Sequence, residues 1–226
     1  MGREGSGRSL GSLVEEAALA LDPRLRPGPE ALERFEAHAA LIARWSARVR
    51  LVGDPSVEAL AVRHFVDSLT VCLVMDPPEG TQAIDVGSGA GFPGLVLAAV
   101  WPQVHFRLYE VDQRKAAFLN AAVAGLELKE RVRVVGRGLE GDPAAEGIEA
   151  ADLILSRAVR GPERLLGWLS PYRRPGGRIV GMLGPAFAGA EDLAGEEEAA
   201  NLRRVASWSG ELPGEAGQRT VVVWGD

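Results

Sequence analysis

The spacing of hydrophobic positions changes once along this chain, near residue 80. Before that point apolar residues recur at three- and four-residue steps. After Pro29, residues Leu32, Phe35, Ala39, Ile42, Trp45 and Val49 form one stripe, the spacing of an amphipathic helix with a buried face. A shorter helix is predicted over Leu10–Leu21, with Pro23, Pro27 and Pro29 marking the connection, and Asp54-Pro55 reads as an N-cap and first-turn proline opening a third helix through Met75. Residues 1–9, rich in glycine and serine, read as a disordered tail. From residue 83 the rhythm becomes one of short apolar runs. Strands are predicted over Ala83–Val86, Val104–Tyr109, Val132–Val135, Leu153–Leu155, Arg178–Leu183, Val205–Trp208 and Arg219–Trp224, with helices over Gly94–Val100, Arg114–Ala124 and Glu163–Leu169. Strand–helix–strand alternation builds a parallel sheet covered on both faces. The last two strands, separated by Pro213-Gly214 and no helical pattern, read instead as an antiparallel hairpin. The expected organisation is a helical segment over residues 10–78 followed by an α/β, Rossmann-like core over 79–226.

The first strand runs into a glycine-rich turn, Asp85-Val86-Gly87-Ser88-Gly89-Ala90-Gly91-Phe92-Pro93-Gly94. Glycines at the start of a helix let a ligand approach the backbone where the helix dipole is positive. Gly89 to Gly94 satisfies the dinucleotide pattern G-x-G-x-x-G, with Glu110 about twenty residues further on, so a dinucleotide is one reading and an empty structural turn is another. The acid at Asp85 favours a third: a carboxylate on the first strand attracts the ammonium and sulfonium of S-adenosyl-L-methionine and repels a pyrophosphate. Glu110, ending the second strand, is placed to accept hydrogen bonds from ribose hydroxyls with either cofactor. On this reading Asp85, Gly87, Ser88, Gly89, Gly91, Phe92 and Glu110 line a cofactor site. Seven strands with the last one antiparallel are the class I methyltransferase arrangement, which the same cofactor suits.

Composition narrows the setting. The chain has 226 residues, 46% hydrophobic and 25% charged, enough to bury a sizeable core. It shows no long apolar run and no export-type segment, and Cys72 is its one cysteine, so a cytoplasmic protein without disulfide, membrane span or metal cluster is expected. The net charge of −6 argues weakly against a nucleic-acid partner. A late acidic run, Glu191 to Glu198, reads as a solvated helix face, and His38 and His105 have no neighbours that suggest a function.

Four stretches carry a family resemblance: Arg63-His64-Phe65-Val66-Asp67-Ser68-Leu69, the loop Asp85–Gly94, Arg114-Lys115-Ala116-Ala117-Phe118-Leu119, and Ser156-Arg157-Ala158-Val159. From about Leu32 to Trp224 the chain resembles the bacterial 16S ribosomal RNA guanine-N7 methyltransferases, also called glucose-inhibited division protein B. The resemblance implies methyl transfer from S-adenosylmethionine to N7 of a guanosine in 16S rRNA or the 30S subunit by a monomer. It implies cofactor contacts at Gly87, Phe92, Gly138, Leu139 and Arg157, and substrate contacts at His64, Arg114, Lys115, Arg137 and Arg160. Arg157 also ends the fourth strand, where ligands bind in open parallel sheets. Asp67 is expected to cap or to pair with Arg63.

The chemistry is undemanding of acid–base groups. Guanine N7 is an unprotonated lone pair at neutral pH, so no general base is required. An arginine held bidentately on O6 and N7 would block the nucleophile, so Arg157 is expected to touch cofactor, O6 or phosphate. N7 faces the deep major groove of A-form RNA, so the target must be unstacked, with Phe92, Tyr109, Trp168 and Tyr172 as stacking candidates, of which Trp168 and Tyr109 are expected rather to pack in the core. Two further readings remain: an enzyme of the same fold acting on a small molecule or protein, which the acidic balance permits, and a binding protein without activity. A basic patch of Arg44, Arg48, Arg50, Arg63, Arg137, Arg157 and Arg160 around the cofactor mouth would favour RNA.

Overall fold

The computed structural model describes residues 8–157, 164–184, 193–214 and 216–226. Arg160, the first seven residues of the expected tail, the start of the helix predicted from Glu163, and Glu191 and Asp192 lie outside the described residues.

Helix α1 (Leu10–Leu21) is capped by Ser9, whose side chain accepts from the Ser12 amide, so Ser9, expected to be tail, belongs to the helix start. Helix α2 (Pro29–Ser46) starts at a proline and buries Phe35, His38 and Ile42. A continuous helical run follows: α3 (Val57–Leu60), a π-helical stretch (Ala61–Val66), α4 (Asp67–Leu69) and a 3-10 turn (Thr70–Leu73). Its cap is Ser56 rather than Asp54: the Ser56 hydroxyl accepts from the Ala59 amide, while Asp54 accepts from the Ser56 amide one step earlier. The π stretch contains Arg63 and His64, and such bulges in a helix often accompany functional sites.

The core is a seven-stranded sheet in the order β3-β2-β1-β4-β5-β7-β6. Strands β1 (Gln82–Val86), β2 (His105–Tyr109), β3 (Val132–Val135), β4 (Ala151–Arg157) and β5 (Arg173–Leu183) pair in parallel, and β7 (Gly217–Gly225) is antiparallel to both β5 and β6 (Arg203–Leu212). Four helices connect them: α5 (Gly94–Val100), α6 (Gln113–Gly125), α7 (Leu165–Leu169) and α8 (Ala194–Ala199). This is the class I methyltransferase arrangement.

The two faces of the sheet are covered differently. On one, α5 and α6 share a single hydrophobic core with the N-terminal helices, so Phe35, Ile42, Phe65, Leu97, Phe106 and Phe118 belong to one packed cluster. On the other, α7 and α8 cover Ile84, Ile154, Ile179 and Trp224. Part of the late acidic run works there. Glu196 accepts from the Leu166 and Gly167 amides at the start of α7, and Glu197 accepts from the Trp224 indole and pairs with Arg204. The expected solvated face is therefore corrected at these two positions, because the first amides of a helix need acceptors that α7 does not itself supply. Helix α2 runs antiparallel to α6: Arg34 donates to the Leu126 carbonyl, Leu41 lies against Gly125, and Trp45 meets Phe118 edge-on at 5.8 Å. The C-terminal end of α2 thus lies with the N-terminal end of α6, at the carboxyl ends of the parallel strands.

Candidate functional site

The loop after β1 is built from within. Asp85 is fully buried beneath it, and its Oδ2 accepts from the Gly94 amide at 3.1 Å, the first residue of α5. Gly94 has no room for a side chain: a Cβ there would stand 2.5 Å from Asp85 Oδ2 and 2.5 Å from Leu108 Cδ2. Burial raises the Asp85 pKa to about 6. Asp85 has no exposed surface, and through Oδ2 it serves the loop and the helix start.

The amides of Gly87 and Ser88 donate to the Tyr109 carbonyl, and that of Gly89 to Glu110 Oε2 at 2.8 Å. The loop is thereby locked to the end of β2, and its amides are used internally. Glu110 Oε1 accepts from the Asp112 amide at 2.9 Å. Each carboxylate oxygen therefore holds one amide and keeps acceptor capacity for a further donor. Gly87 is exposed with φ 70°, and at Gly89 (φ 55°) the nearest atom to a hypothetical Cβ is 3.8 Å away, so open space faces the loop. Across from it Val111 is 63% exposed, with a methyl 3.1 Å from where a Cβ on Gly138 would stand. An acceptor pair, bare glycine backbone and an exposed apolar side chain fit a nucleoside cofactor; Val111 was missed in the sequence although it directly follows Glu110. Ser88 and Leu139 are buried, Leu139 giving its carbonyl to the Trp168 indole at 2.8 Å, so their side chains form the floor of this site.

Phe92 is 3% exposed and does not offer a face to a base. It stacks with His38 at 5.0 Å and His64 at 4.9 Å, meets Phe65 edge-on at 5.2 Å, and has the Arg157 guanidinium 5.3 Å from its centroid. Tyr109 and Tyr172 are buried as well, and Trp168 is held on Leu139: Tyr109 and Trp168 pack in the core as expected, and the rings of Phe92 and Tyr172 are claimed by it too.

Arg157, at the end of β4, donates from Nη1 to Asp67 Oδ2 at 3.1 Å and contacts His64 Nδ1 through Nη2 at 3.2 Å. A guanidinium can only donate, so His64 Nδ1 accepts and its proton sits on Nε2. Burial, with Arg157 next, lowers the His64 pKa to about 4, so the ring is neutral at physiological pH. Asp67, 4% exposed, also holds Arg219, whose Nε lies 3.2 Å from Oδ1. Asp67 thus pairs with Arg157 and Arg219 and not with Arg63. Neither partner was legible, because they lie on β4 and β7. These residues border a cleft of about 390 Å³ with Arg63, Met182 and Leu183 on its wall, at the carboxyl ends of β4 and β5. A larger cavity of about 490 Å³, lined by Met75 to Thr81 and Pro175 to Arg178, opens at the opposite edge of the sheet. Position decides between them, since ligands in open parallel sheets bind beyond the strands' carboxyl ends.

The expected basic patch divides. Arg137 is half-exposed but bonded to Glu146, donating to its carbonyl at 3.1 Å. Arg157 is committed to Asp67. Among the described residues, Arg44, Arg48, Arg50, Arg63, Arg114 and Lys115 form no ion pair and donate no side-chain hydrogen bond. Arg44, Arg48, Arg114 and Lys115 gather where the end of α2 meets the start of α6, and Arg44 and Arg48 flank Trp45 and Ala47 around a hollow of about 390 Å³. No group of His, Cys, Asp and Glu among the described residues could hold a metal ion, and no helix is long and apolar enough to cross a membrane.

The family described as rRNA small subunit methyltransferase G matches residues 31–212. A protein of Anaeromyxobacter sp. (strain Fw109-5) named ribosomal RNA small subunit methyltransferase G is 36% identical over 208 residues, covering 92% of this chain and 93% of its own. One of the same name from Myxococcus xanthus is 37% identical over 184 residues, covering 80% and 82%. Among solved structures, a precorrin-6y C5,15-methyltransferase from Geobacter metallireducens superposes with a TM-score of 0.53 at 14% identity, covering 70% of this chain and 85% of its own. A protein from Agrobacterium tumefaciens described as a predicted O-methyltransferase does so with 0.54 at 19%, covering 70% and 79%.

Proposed function

The chain belongs to the rRNA small subunit methyltransferase G family, and from that premise we propose that it methylates N7 of a guanosine in 16S rRNA in the cytoplasm, using S-adenosyl-L-methionine. The observation that carries the RNA reading is the set of unpaired cations at the mouth of the fold. A chain of net charge −6 has acids to spare for its arginines, and ten of the described ones form ion pairs, yet Arg44, Arg48, Arg50, Arg63, Arg114 and Lys115 are left free on the segments that frame the cofactor loop and cleft. Phosphates along an RNA strand are the natural counter-charge.

When bound, S-adenosylmethionine supplies an electrophilic methyl carbon on a sulfonium. Glu110 would accept from the ribose hydroxyls, Val111 and the Gly138 backbone would flank the base, and the Gly87–Gly89 turn would leave room for the remainder. The cleft between β4, β5 and the π stretch receives the target guanine. Its walls carry Arg157 and Arg63 for O6 or the flanking phosphate, leaving N7 free of donors. Neutral His64 has no proton to take, since N7 attacks as a lone pair. The protein contributes alignment, holding nucleophile and methyl carbon in line in a site whose floor is fixed by packing.

Methyl transfer to 16S rRNA and 30S subunits from cells lacking the modification, with nucleosides read by mass spectrometry, tests this directly. Label in 7-methylguanosine at one position is expected; absence of label with S-adenosylhomocysteine still binding would overturn the substrate. Replacing Arg44 and Arg48 with glutamine should make the salt dependence of RNA affinity shallower by about two in log–log slope, with cofactor affinity unchanged. An unaltered slope would remove that surface from the RNA path.

A further inference from the structure

His38 sits in the middle of α2, on the apolar face between Phe35 and Ile42, and is 1% exposed. The sequence assigns it no role. Its ring nitrogen Nε2, however, lies 2.7 Å from the carbonyl oxygen of Ala90, at the centre of the glycine loop and 52 residues away. A carbonyl only accepts, so the imidazole proton sits on Nε2 and the ring donates it to the loop. The Ala90 carbonyl belongs to the Ser88–Phe92 turn, in which the Gly91 amide donates to Ser88 O at 2.7 Å and the Phe92 amide at 3.2 Å. The ring also stacks on Phe92 at 5.0 Å and meets Phe65 edge-on at 5.5 Å. One side chain therefore holds both the backbone and the aromatic anchor of the loop.

We propose that His38 is a positioning residue for methyl transfer: it donates to Ala90 and so fixes the turn against which S-adenosylmethionine binds. The assignment rests on the cofactor reading above. It also gives the N-terminal helices a part in cofactor binding, since α2 reaches the loop through this side chain. The loop's other hydrogen bonds run to β1, to Tyr109 and Glu110 at the end of β2, and to α5, whereas the His38 bond comes from outside the Rossmann-like core, on the side from which His64 and Phe65 also pack on Phe92.

Two substitutions separate donor from ring. His38→Phe keeps an aromatic against Phe92 and Phe65 but leaves the buried Ala90 carbonyl without a partner. His38→Gln keeps an N–H donor at similar reach and gives up the ring. Binding of S-adenosylmethionine is measured by calorimetry on the full-length protein, with steady-state methylation of 16S rRNA and thermal melting alongside. The expected result is a Kd and a cofactor KM raised about tenfold in His38→Phe, with kcat at saturating cofactor and KM for RNA close to wild type, and recovery of most of the cofactor affinity in His38→Gln. Equal cofactor affinity in wild type and His38→Phe would overturn the proposal. So would equal losses in both variants accompanied by equal drops in melting temperature, which is the signature of packing alone. Failure of the wild-type protein to bind S-adenosylmethionine would refute the cofactor reading on which the proposal stands, a result distinct from either.

Discussion

Gly94→Ala is expected to lower the melting temperature by about 10 °C and to abolish measurable S-adenosylmethionine binding. The added methyl would lie 2.5 Å from both Asp85 Oδ2 and Leu108 Cδ2, and 3.1 Å from Asp85 Cβ, and both side chains are fully buried with no free space to turn into. Overpacking of this kind costs about 1–3 kcal/mol. The displaced Asp85 also loses the Gly94 amide, and a buried acceptor left without its donor costs about 1–3 kcal/mol more. For a domain of this size, a sum near 3 kcal/mol corresponds to the stated shift. Cofactor binding fails because α5 and the turn before it must move together. Asp85→Asn provides the contrast: it keeps an acceptor oxygen for Gly94 and removes a carboxyl that burial already pushes up to about 6, so it should melt close to wild type. Melting curves and calorimetry on the two variants check the argument, and a Gly94→Ala protein that binds cofactor normally would refute it.

The order of elements was legible because helix and strand periods differ. Leu10–Leu21 and Gly94–Val100 fall on their expected bounds, and the antiparallel end follows from Pro213-Gly214 between two apolar runs. Strands were read short where their ends turn polar: β4 continues from Leu155 into Ser156 and Arg157, residues that the site needs more than the core does. Periodicity identifies a buried face but not its partners. Phe35 and Ile42 were legible on one inward stripe, whereas His38 was not read as part of it, and the Ala90 carbonyl that His38 meets belongs to another segment. The loop residues were found because glycine spacing is a local signal. Arg219 carries no local signal; it enters the cleft because β7 turns back antiparallel to β5. Net charge was the weakest guide, since it counts paired and unpaired cations alike.

The ion cluster under the cleft yields an expected order of damage that differs from the order of distance to substrate. Asp67→Ala should destabilise the protein more than Arg157→Ala, by about 3–5 kcal/mol, although Arg157 is the residue facing the cleft. Asp67 holds two guanidiniums at 3.1 and 3.2 Å, and its removal leaves both cations in a largely closed space with no counter-charge. Removing Arg157 leaves Asp67 still paired with Arg219, and the losses are the donor to His64 and the cation over Phe92. The double variant, Asp67→Ala with Arg157→Ala, removes one charge of each sign and should be more stable than the sum of the single changes allows. Urea unfolding of the three proteins gives the coupling as the departure from additivity. Activity should follow the opposite order among properly folded samples: Arg157→Ala loses about 100-fold in kcat/KM, as removal of one preorganised donor commonly does. Additive stabilities, or Arg157→Ala activity equal to wild type, would show that the arginine serves the fold and leaves the guanine to other residues.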